Sequence, residues 1–306
     1  MSNPVIGVVG LGLMGRAIAE RSAAAGLQVR GYDSSVDARE AIAKWAASVG
    51  SEELLIAGRL NELADCDFII EAVSESLETK LAVMRAIGNL NESATIMTNS
   101  STYMASELAP VVRNPSRLIV GHFFNPAQVA PLVEVIPGPA TDPDTVARAV
   151  DYLTQIGKIP IVLSAETPGF VANRLQAALL RECFALIDQG VCTPQQLDEV
   201  VRLSLAPRWA ALGPLAVADL GGLDVFAALT ARLYPLLDAR TTVSPLLDSL
   251  AETKHYGAKT GSGIYCWNSD LERGAIEAAS AALRAASPRA PLISATPPRP
   301  ENEDIE

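Results

Sequence analysis

A strand-like run and the glycine-rich turn after it constrain the fold of this chain more than any other feature. Residues 5–9 are continuously apolar, as in a strand that is buried on both faces of a parallel sheet. Three glycines follow in the spacing GxGxxG (Gly10, Gly12 and Gly15), and a helical pattern begins near Met14. A strand, a tight turn and a helix in this order predict the first unit of an open α/β sheet.

The alternation of strand-like and helix-like segments continues through residues 1–166 and predicts a doubly wound, Rossmann-type sheet. The strand candidates after the first are the short apolar runs 28–32, 68–72, 95–98, 118–121, 133–136 and 159–163. A helix over 142–156 is predicted, with Thr141 as its N-cap. Residues 167–286 lack strand alternation and predict an all-helical C-terminal domain, which a long apolar helix over 171–189 opens. Residues 287–306, rich in proline and ending in acids, predict a disordered tail.

An acidic residue, Asp33, ends the second predicted strand and points to a dinucleotide. Gly10 permits the turn, Gly12 lets the backbone approach a pyrophosphate, and Gly15 lets the helix pack on the strand. A carboxylate accepts hydrogen bonds from a free ribose 2′-hydroxyl and repels a 2′-phosphate, so NAD is predicted over NADP. The alternative is a glycine-rich turn without a ligand. The predicted cofactor-binding residues here are Gly10, Leu11, Gly12, Leu13, Met14, Gly15 and Asp33.

Charge and composition exclude several classes of protein. The net charge is −11, and no cluster of Lys and Arg is present to neutralise nucleic-acid phosphates. No apolar stretch is long enough for a transmembrane helix, and the first residues do not resemble a signal peptide. The four cysteines show neither metal-ligand spacing nor a CxxC pair, so we expect reduced thiols, no metal site and a cytoplasmic protein. These cysteines are Cys66, Cys183, Cys192 and Cys266.

One of only two histidines, His122, follows a predicted strand and is the candidate general base. Ligands of open α/β sheets bind outside the carboxyl ends of the strands, so His122 is expected at the same edge as the glycine turn. An imidazole, with an ordinary pKa of roughly 6.5, suits removal of a hydroxyl proton at neutral pH. Glu134, in the next apolar run, would fix its tautomer. The alternatives are a structural buried histidine and a surface carboxylate; His255 is expected to be solvated.

The motifs around these residues resemble those of the L-3-hydroxyacyl-CoA dehydrogenase family. They occur in one order along the chain, at residues 71–75, 99–101, 121–126, 132–136, 167–174 and 257–265. The resemblance implies NAD-dependent oxidation of an L-3-hydroxyacyl-CoA to the 3-ketoacyl-CoA, a place in fatty acid metabolism, and a homodimer formed through the helical domain. A surplus of apolar residues in that domain favours the same dimer. A non-catalytic NAD-binding protein is the alternative from another class.

The resemblance also implies roles for individual residues. His122 would be the general base and Glu134 its partner, while Ser101 and Asn173 would hydrogen-bond the substrate and the catalytic histidine. Three further positions would contact the cofactor: Glu75, Lys80 and Asn99. The alternatives are that Ser101 only caps the following helix and that Asn173 lies on the polar face of its own helix. Phe123 and Phe124 are expected to pack rather than to bind substrate.

Two departures from the family pattern bear on the substrate. The stretch from Asp33 to Glu71 is too short for the long basic hairpin to which the resemblance assigns part of the CoA contact. Residues 206–215 are closer to the branch that oxidises free 3-hydroxy acids, such as L-gulonate and carnitine-like substrates. Arg208 and Trp209 in this stretch are candidate substrate-binding residues, or a packing pair at a helix end. A CoA thioester is the leading prediction, and a free 3-hydroxy acid is the alternative.

Overall fold

The computed structural model describes residues 3–285, so the tail predicted at 287–306 lies outside the described residues. Eight strands form one sheet in the order β3-β2-β1-β4-β5-β6-β7-β8. They are β1 (Ile6–Val9), β2 (Val29–Tyr32), β3 (Leu54–Ile56), β4 (Phe68–Glu71), β5 (Thr95–Thr98), β6 (Leu118–Phe123), β7 (Leu132–Pro137) and β8 (Ile159–Val162). The predicted strands are all present; the edge strand β3 was not predicted, because three residues are too few to show a pattern.

Twelve α-helices accompany the sheet in the described residues. They are α1 (Leu13–Ala24), α2 (Val36–Val49), α3 (Leu77–Leu90), α4 (Ala105–Leu108), α5 (Pro143–Gln155), α6 (Ala172–Asp188), α7 (Pro194–Val200), α8 (Ala206–Leu212), α9 (Pro214–Gly221), α10 (Leu223–Leu233), α11 (Pro245–Glu252) and α12 (Ser269–Ala285). The N-cap of α5 is Asp142, not Thr141 as predicted. The Thr141 hydroxyl instead donates to the carbonyl of Leu118 at 2.6 Å, which ties it to the sheet.

The sheet confirms the doubly wound prediction, with one reversal. Strands β1 to β6 are parallel, and the chain order changes direction between β1 and β4, where dinucleotides bind in such sheets. Strand β7 runs antiparallel to β6. Only residues 124–131 connect these two strands, and a parallel crossover needs about a dozen residues or more, so the chain turns back as a hairpin.

Alternate residues of the central strands feed two separate hydrophobic clusters, one on each face of the sheet. Val8 and Ile70 belong to one cluster, and their neighbours Val9 and Ile69 belong to the other. Helices α1 and α5 contribute to the first cluster and α3 to the second. Burial on both faces explains why these strands read as continuous apolar runs.

A single helix connects β2 to the edge strand β3. Ser35 caps α2 by accepting from the backbone N–H of Ala38, and Gly50 ends the helix in the left-handed conformation at a φ of 63°. Strand β3 then begins at Leu54. A long helical hairpin is therefore replaced here by one helix of 14 residues.

The chain divides into two compact units, and the boundary falls inside α6. One unit contains the residues up to Leu180 together with Arg273–Arg284, and the other is Arg181–Glu272. The sequence prediction placed the boundary at 166/167. The start of α6 is bound to the sheet unit, since the amides of Val171, just before the helix, and of Ala172, its first residue, donate to Glu134 on β7. Helix α7 begins with a capping box, in which Thr193 accepts from the backbone N–H of Gln196 and the Gln196 side chain accepts from that of Thr193.

Among residues 3–285, no single helix combines the length and apolarity that a membrane crossing requires. Helix α9 and the segment Leu223–Leu236 meet those criteria only when taken together, and they are bent by 111° relative to each other.

Candidate active site

The glycine turn admits no side chain at two of its three glycines. Gly10 has a φ of +91°, and a Cβ there would lie 2.6 Å from the carbonyl oxygen of Ala72. A Cβ on Gly15 would lie 1.8 Å from the carbonyl oxygen of Gly10, so helix α1 packs directly on the turn. Gly12 has no heavy atom within 4 Å of its ideal Cβ position. The backbone at Gly12 is therefore open to a ligand, as the sequence predicted.

A cleft of about 600 Å³ opens in front of this turn. The predicted cofactor residues that line it are Gly10, Gly12, Leu13, Met14, Asp33, Glu75 and Asn99, together with Ser101. Further lining residues that the sequence did not single out are Val9, Tyr32, Ser34, Ala72, Val73, Ser74, Thr79 and Val83. Four of these eight, Ser34, Ala72, Val73 and Ser74, follow β2 and β4, the two strands on either side of β1, next to which the strand order reverses. Their position at or just after the ends of predicted strands was the sequence signal that could have identified these residues.

Asp33 is held by two backbone amides. Leu11 N donates to Asp33 Oδ2 at 2.7 Å, and Ser35 N donates to Asp33 Oδ1 at 2.8 Å. The carboxylate is fixed on the wall of the cleft and keeps acceptor capacity for a ribose hydroxyl. The sequence pattern missed Arg39, whose guanidinium donates to the carbonyls of Asp33 and Ser34. The turn, the open Gly12 backbone and Asp33 together fit an NAD dinucleotide.

His122 and Glu134 form a buried pair on neighbouring antiparallel strands. The two residues lie directly opposite each other in the β6–β7 register, and His122 Nδ1 is 2.8 Å from Glu134 Oε2. Each residue is only 3% exposed. Because a carboxylate accepts the Nδ1 proton, the neutral ring carries its lone pair on Nε2, where it can act as a base. The hairpin reversal is what places the two residues together.

The second oxygen of Glu134 is bound by the start of α6. Val171 N and Ala172 N donate to Glu134 Oε1 at 3.1 Å and 3.0 Å. The preceding residue, Phe170, is fully buried with a φ of 54°, and this left-handed turn leads the chain into the helix. Two aromatic rings flank the imidazole: those of Phe124 and Phe170, with ring centroids 4.7 Å and 5.3 Å from that of His122.

The loop after β5 brings Asn99 and Ser101 to the same edge. Asn99 Oδ1 accepts from the backbone N–H of Phe123 at 3.1 Å, next to His122. Asn173 Nδ2 donates to the carbonyl oxygen of Ser101 at 3.2 Å. Ser101 does not cap α4, whose N-cap is Met104. Of the residues predicted to act on the substrate, Ser101 lines the cleft and Asn173 contacts the backbone of Ser101. His122, Glu134 and Asn173 are not among the residues that line the cleft, and the joint action of these residues on a substrate stays a prediction.

Glu75 and Lys80 differ in their access to the cleft. Glu75 lines it, whereas Lys80 is 1% exposed and its ammonium contacts Glu71 and Glu75. Burial acts to raise the pKa of Glu75, but the hydrogen bond from Ser100, the charge of Lys80 and the hydrogen bond from Thr102 outweigh it and hold the pKa at about 2. Glu75 is a carboxylate under all ordinary conditions.

The remaining candidates lie in the second unit. Arg208 is exposed on α8, and its Nε donates to the carbonyl oxygen of Ser204 at 3.0 Å; Trp209 is half-buried on the same helix. Their role toward the substrate stays a prediction. His255 is exposed, with Nδ1 3.0 Å from the hydroxyl of Thr253.

A Rossmann-type sheet with a cleft beside the glycine turn and Asp33, and a buried histidine–carboxylate pair at its carboxyl edge, define an NAD-dependent oxidoreductase. The model of the 3-hydroxyacyl-CoA dehydrogenase NAD binding domain matches residues 5–167, and that of the 3-hydroxyacyl-CoA dehydrogenase C-terminal domain matches residues 169–267. The chain belongs to the 3-hydroxyacyl-CoA dehydrogenase family.

Its similar proteins include enzymes with and without CoA in their names. The chain is 32% identical over 283 residues to 5-formyl-3-hydroxy-2-methylpyridine 4-carboxylate 5-dehydrogenase of Mesorhizobium japonicum, covering 86% of this chain and 90% of that protein. It is 32% identical over 277 residues to a probable 3-hydroxybutyryl-CoA dehydrogenase of Bacillus subtilis, covering 84% of this chain and 95% of that protein.

Solved structures show the same two groups. A crystal structure of the pyridine carboxylic acid dehydrogenase, an NAD+-dependent dismutase, superposes with a TM-score of 0.85 at 29% identity, covering 93% of this chain and 97% of that one. The (S)-3-hydroxybutyryl-CoA dehydrogenase of Ralstonia eutropha gives a TM-score of 0.71 at 30% identity, covering 87% of this chain and 100% of that one.

Proposed function

We propose that this protein oxidises the hydroxyl group of a 3-hydroxy substrate to the 3-keto product, with NAD+ as hydride acceptor and His122 as general base. The observation that carries the proposal is the 2.8 Å contact between His122 Nδ1 and Glu134 Oε2. It leaves Nε2 of the neutral ring as the proton acceptor, at the strand edge where the cofactor cleft opens.

The mechanism follows from these groups. NAD+, when bound, supplies the site that takes the hydride. His122 Nε2 removes the hydroxyl proton as the carbinol carbon loses its hydride, and Glu134 stabilises the imidazolium that forms. Ser101 and Asn173 hold the oxygen that changes from hydroxyl to carbonyl. Phe124 and Phe170 exclude water from the imidazole, which strengthens its interaction with Glu134.

Replacing His122 with Gln tests the role of the base. We expect turnover to fall by roughly 10²–10⁴-fold, the usual contribution of a positioned base, while the Kd for NADH stays within about threefold. The matched control is His255→Gln, which replaces the other histidine at an exposed position and should keep full turnover. Unchanged turnover in His122→Gln would overturn the assignment.

For the substrate class, we propose a compact 3-hydroxy carboxylate without CoA. The single helix α2 stands where a basic hairpin would contact CoA, and residues 37–64 carry three cations against five acids. Two of these cations are already engaged: Arg39 with backbone carbonyls and Lys44 with Glu40 at 3.5 Å. The phosphates of CoA would meet net negative charge here. The TM-score of 0.85 to an enzyme named for a pyridine carboxylate supports a substrate without CoA.

A CoA thioester is the second candidate, and the 32% identity to a probable 3-hydroxybutyryl-CoA dehydrogenase supports it. Matched pairs separate the two classes: each 3-hydroxy acid is assayed free and as its CoA thioester by NADH formation. We expect kcat/KM to be at least tenfold higher for the free acid of the best pair, and millimolar CoA not to inhibit. A preference for the thioester, or competitive inhibition by CoA, would favour the second candidate instead.

We also propose that the chain acts as a homodimer in the cytoplasm. Large apolar side chains are exposed on α9 and α10, including Leu215 and Leu220, which supports an association of two copies. All four cysteines are unpaired, and burial raises the pKa of Cys66 to about 11, so that thiol stays protonated. Unpaired thiols support a reducing compartment.

A further inference from the structure

A buried lysine joins two carboxylates below the cofactor cleft. Lys80 Nζ lies 3.0 Å from Glu71 Oε1 and 3.1 Å from Glu75 Oε2. Lys80 is 1% exposed and Glu71 is fully buried. Among the described residues, Glu75 lines the cleft but Lys80 and Glu71 do not. The ammonium therefore reaches the cleft only through Glu75.

The same groups close a ring of hydrogen bonds through the end of β5. Thr98 Oγ1 donates to Glu71 Oε2 at 2.6 Å and accepts from Ser100 N at 3.2 Å. Ser100 Oγ donates to Glu75 Oε1 at 2.6 Å, and Glu75 returns to Lys80. Each charged member of the ring has several partners, which makes the arrangement rigid.

This ring holds the loop that carries Ser101. Glu75 Oε1 also accepts from the backbone N–H groups of Ser101 and Thr102, both at 2.9 Å. On the other side, Asn99 N donates to the carbonyl oxygen of Glu71 at 2.8 Å. One flank of Ser101 is thereby tied to β4, the strand that bears Glu71, and the other to Glu75 in the loop that follows β4.

We propose that Lys80 and Glu71 are positioning residues, which act through Glu75 to hold Ser101 and Asn99 in place for catalysis. Without the ammonium, the carboxylates of Glu71 and Glu75 would repel each other, and Glu75, the one beside open space, would turn into the cleft. The backbone of Ser101 and Thr102 would then lose its shared acceptor. The role of Ser101 in this inference rests on the proposed function.

Two variants distinguish a positioning role of Lys80 and Glu71 from a contribution to the stability of the fold alone. Lys80→Met leaves Glu71 buried without its cation, so it should lower both stability and turnover. The double variant Glu71→Gln/Lys80→Met removes both charges and should regain most of the stability. In both variants we expect kcat to fall tenfold or more. In the double variant, where no carboxylate at position 71 repels Glu75 into the cleft, the Kd for NADH should change less than threefold.

Arg117→Met is the matched control. Arg117 is a buried cation that binds only backbone carbonyls among its described contacts, those of Ala94 and Gly88, and it precedes the amino end of β6, away from the cleft. This variant should lose stability and keep kcat. A Lys80→Met enzyme with unchanged kcat, or with a tenfold weaker Kd for NADH at full kcat, would overturn the proposal.

Hydrogen exchange gives a readout that does not depend on the substrate. Amides of residues 100–103 should exchange at least tenfold faster in Glu71→Gln/Lys80→Met than in the wild type, and at the wild-type rate in Arg117→Met. Unchanged exchange at these amides would count against the ring as the support of this loop. If His122→Gln keeps its turnover, the proposed function fails, whereas this exchange result stands or falls separately.

Discussion

Glu134 gives each of its oxygens a different partner. One accepts from His122 Nδ1 at 2.8 Å, and the other accepts from the amides of Val171 and Ala172. A carboxylate that is only 3% exposed would be costly to bury without such donors. The amides keep Glu134 in one orientation, so the charge that stabilises an imidazolium is already aimed at the ring before the proton arrives.

Replacing Glu134 with Gln should therefore damage catalysis more than binding. The amide can present its N–H to Nδ1, which would move the ring proton to Nε2 and remove the base. We expect kcat to fall by roughly 10²–10⁴-fold, with the Kd for NADH within about threefold, measured by steady-state kinetics and fluorescence titration. A kcat within threefold of the wild type would contradict the assigned tautomer.

Glu75 makes part of the stability of this protein depend on pH. Its pKa of about 2 is depressed from the ordinary 4.5, so its contribution is fully present above pH 4.5 and is lost as the pH falls through 2. Since its side chain is 37% exposed, solvent screening reduces this contribution to about 1–2 kcal/mol. The difference in unfolding free energy between wild type and Glu75→Gln should shrink by about half from pH 7 to pH 3 in urea titrations.

A second carboxylate provides the control for this pH effect. Glu78 lies in the first turn of α3 and is exposed. Glu78→Gln should differ from the wild type by less than about 0.5 kcal/mol, as expected of an exposed substitution. If the difference in unfolding free energy between the wild type and Glu75→Gln stays constant from pH 7 to pH 3, the charge of Glu75 does not stabilise the fold.

At the scale of elements, the hairpin from β6 to β7 depends on the loop 124–131. Val129 N and Ala130 N both donate to the carbonyl oxygen of Pro126, which gives the loop one helical turn. The buried ammonium of Lys158 donates to the carbonyls of Ala127 and Ala130 at its end. Burial, with a smaller contribution from the charge of Arg21, lowers the pKa of Lys158 to about 8. This lysine acts as a cap for a loop that begins two residues after His122.

The substitution Lys158→Met tests how much the hydrogen bonds of this lysine to the loop stabilise the protein. Methionine has a similar length but no donor, so two buried carbonyls lose their partner, and we expect the unfolding free energy to fall by about 2–3 kcal/mol at pH 7. The control is Lys44→Met on α2, where the side chain is 79% exposed and the change should stay below about 0.5 kcal/mol. Equal losses in the two variants would contradict the role of Lys158.

Local patterns were sufficient to predict the first βαβ unit and the carboxyl-edge residues, because each strand and turn carries its own signal. The reversal of β7 was missed, since direction depends on loop length and not on apolar pattern. The reversal could nevertheless have been predicted from the short connection of eight residues between Phe123 and Leu132. The burial of Lys80 could not have been predicted from the sequence, because a lysine in the first turn of a helix is ordinarily solvated. The carboxylates of Glu71 and Glu75, which the fold brings to its ammonium, explain the burial of Lys80.

At the scale of the whole molecule, the second compact unit buries very little of its own apolar surface. Within Arg181–Glu272, the buried apolar residues are Phe184 and Ala185. By contrast, Leu215, Leu220 and Leu236 are 84%, 80% and 75% exposed. Exposed leucines are unfavourable in water at about 25 cal/mol per Å² of apolar surface, and a second copy of the chain would remove them from it.

The paired substitution Leu215→Glu/Leu220→Glu tests that association. Light scattering at micromolar concentration should give the wild type about twice the 32.2 kDa mass of one chain, and the variant the mass of a single chain. Charges placed in the buried centre of an interface are strongly unfavourable, whereas a lone charge elsewhere is not. Leu55→Glu is the control, because Leu55 is 61% exposed on the edge strand β3 and should leave the dimer intact. Circular dichroism establishes that each variant is folded, and a folded Leu215→Glu/Leu220→Glu variant that stays dimeric would place the interface on another surface.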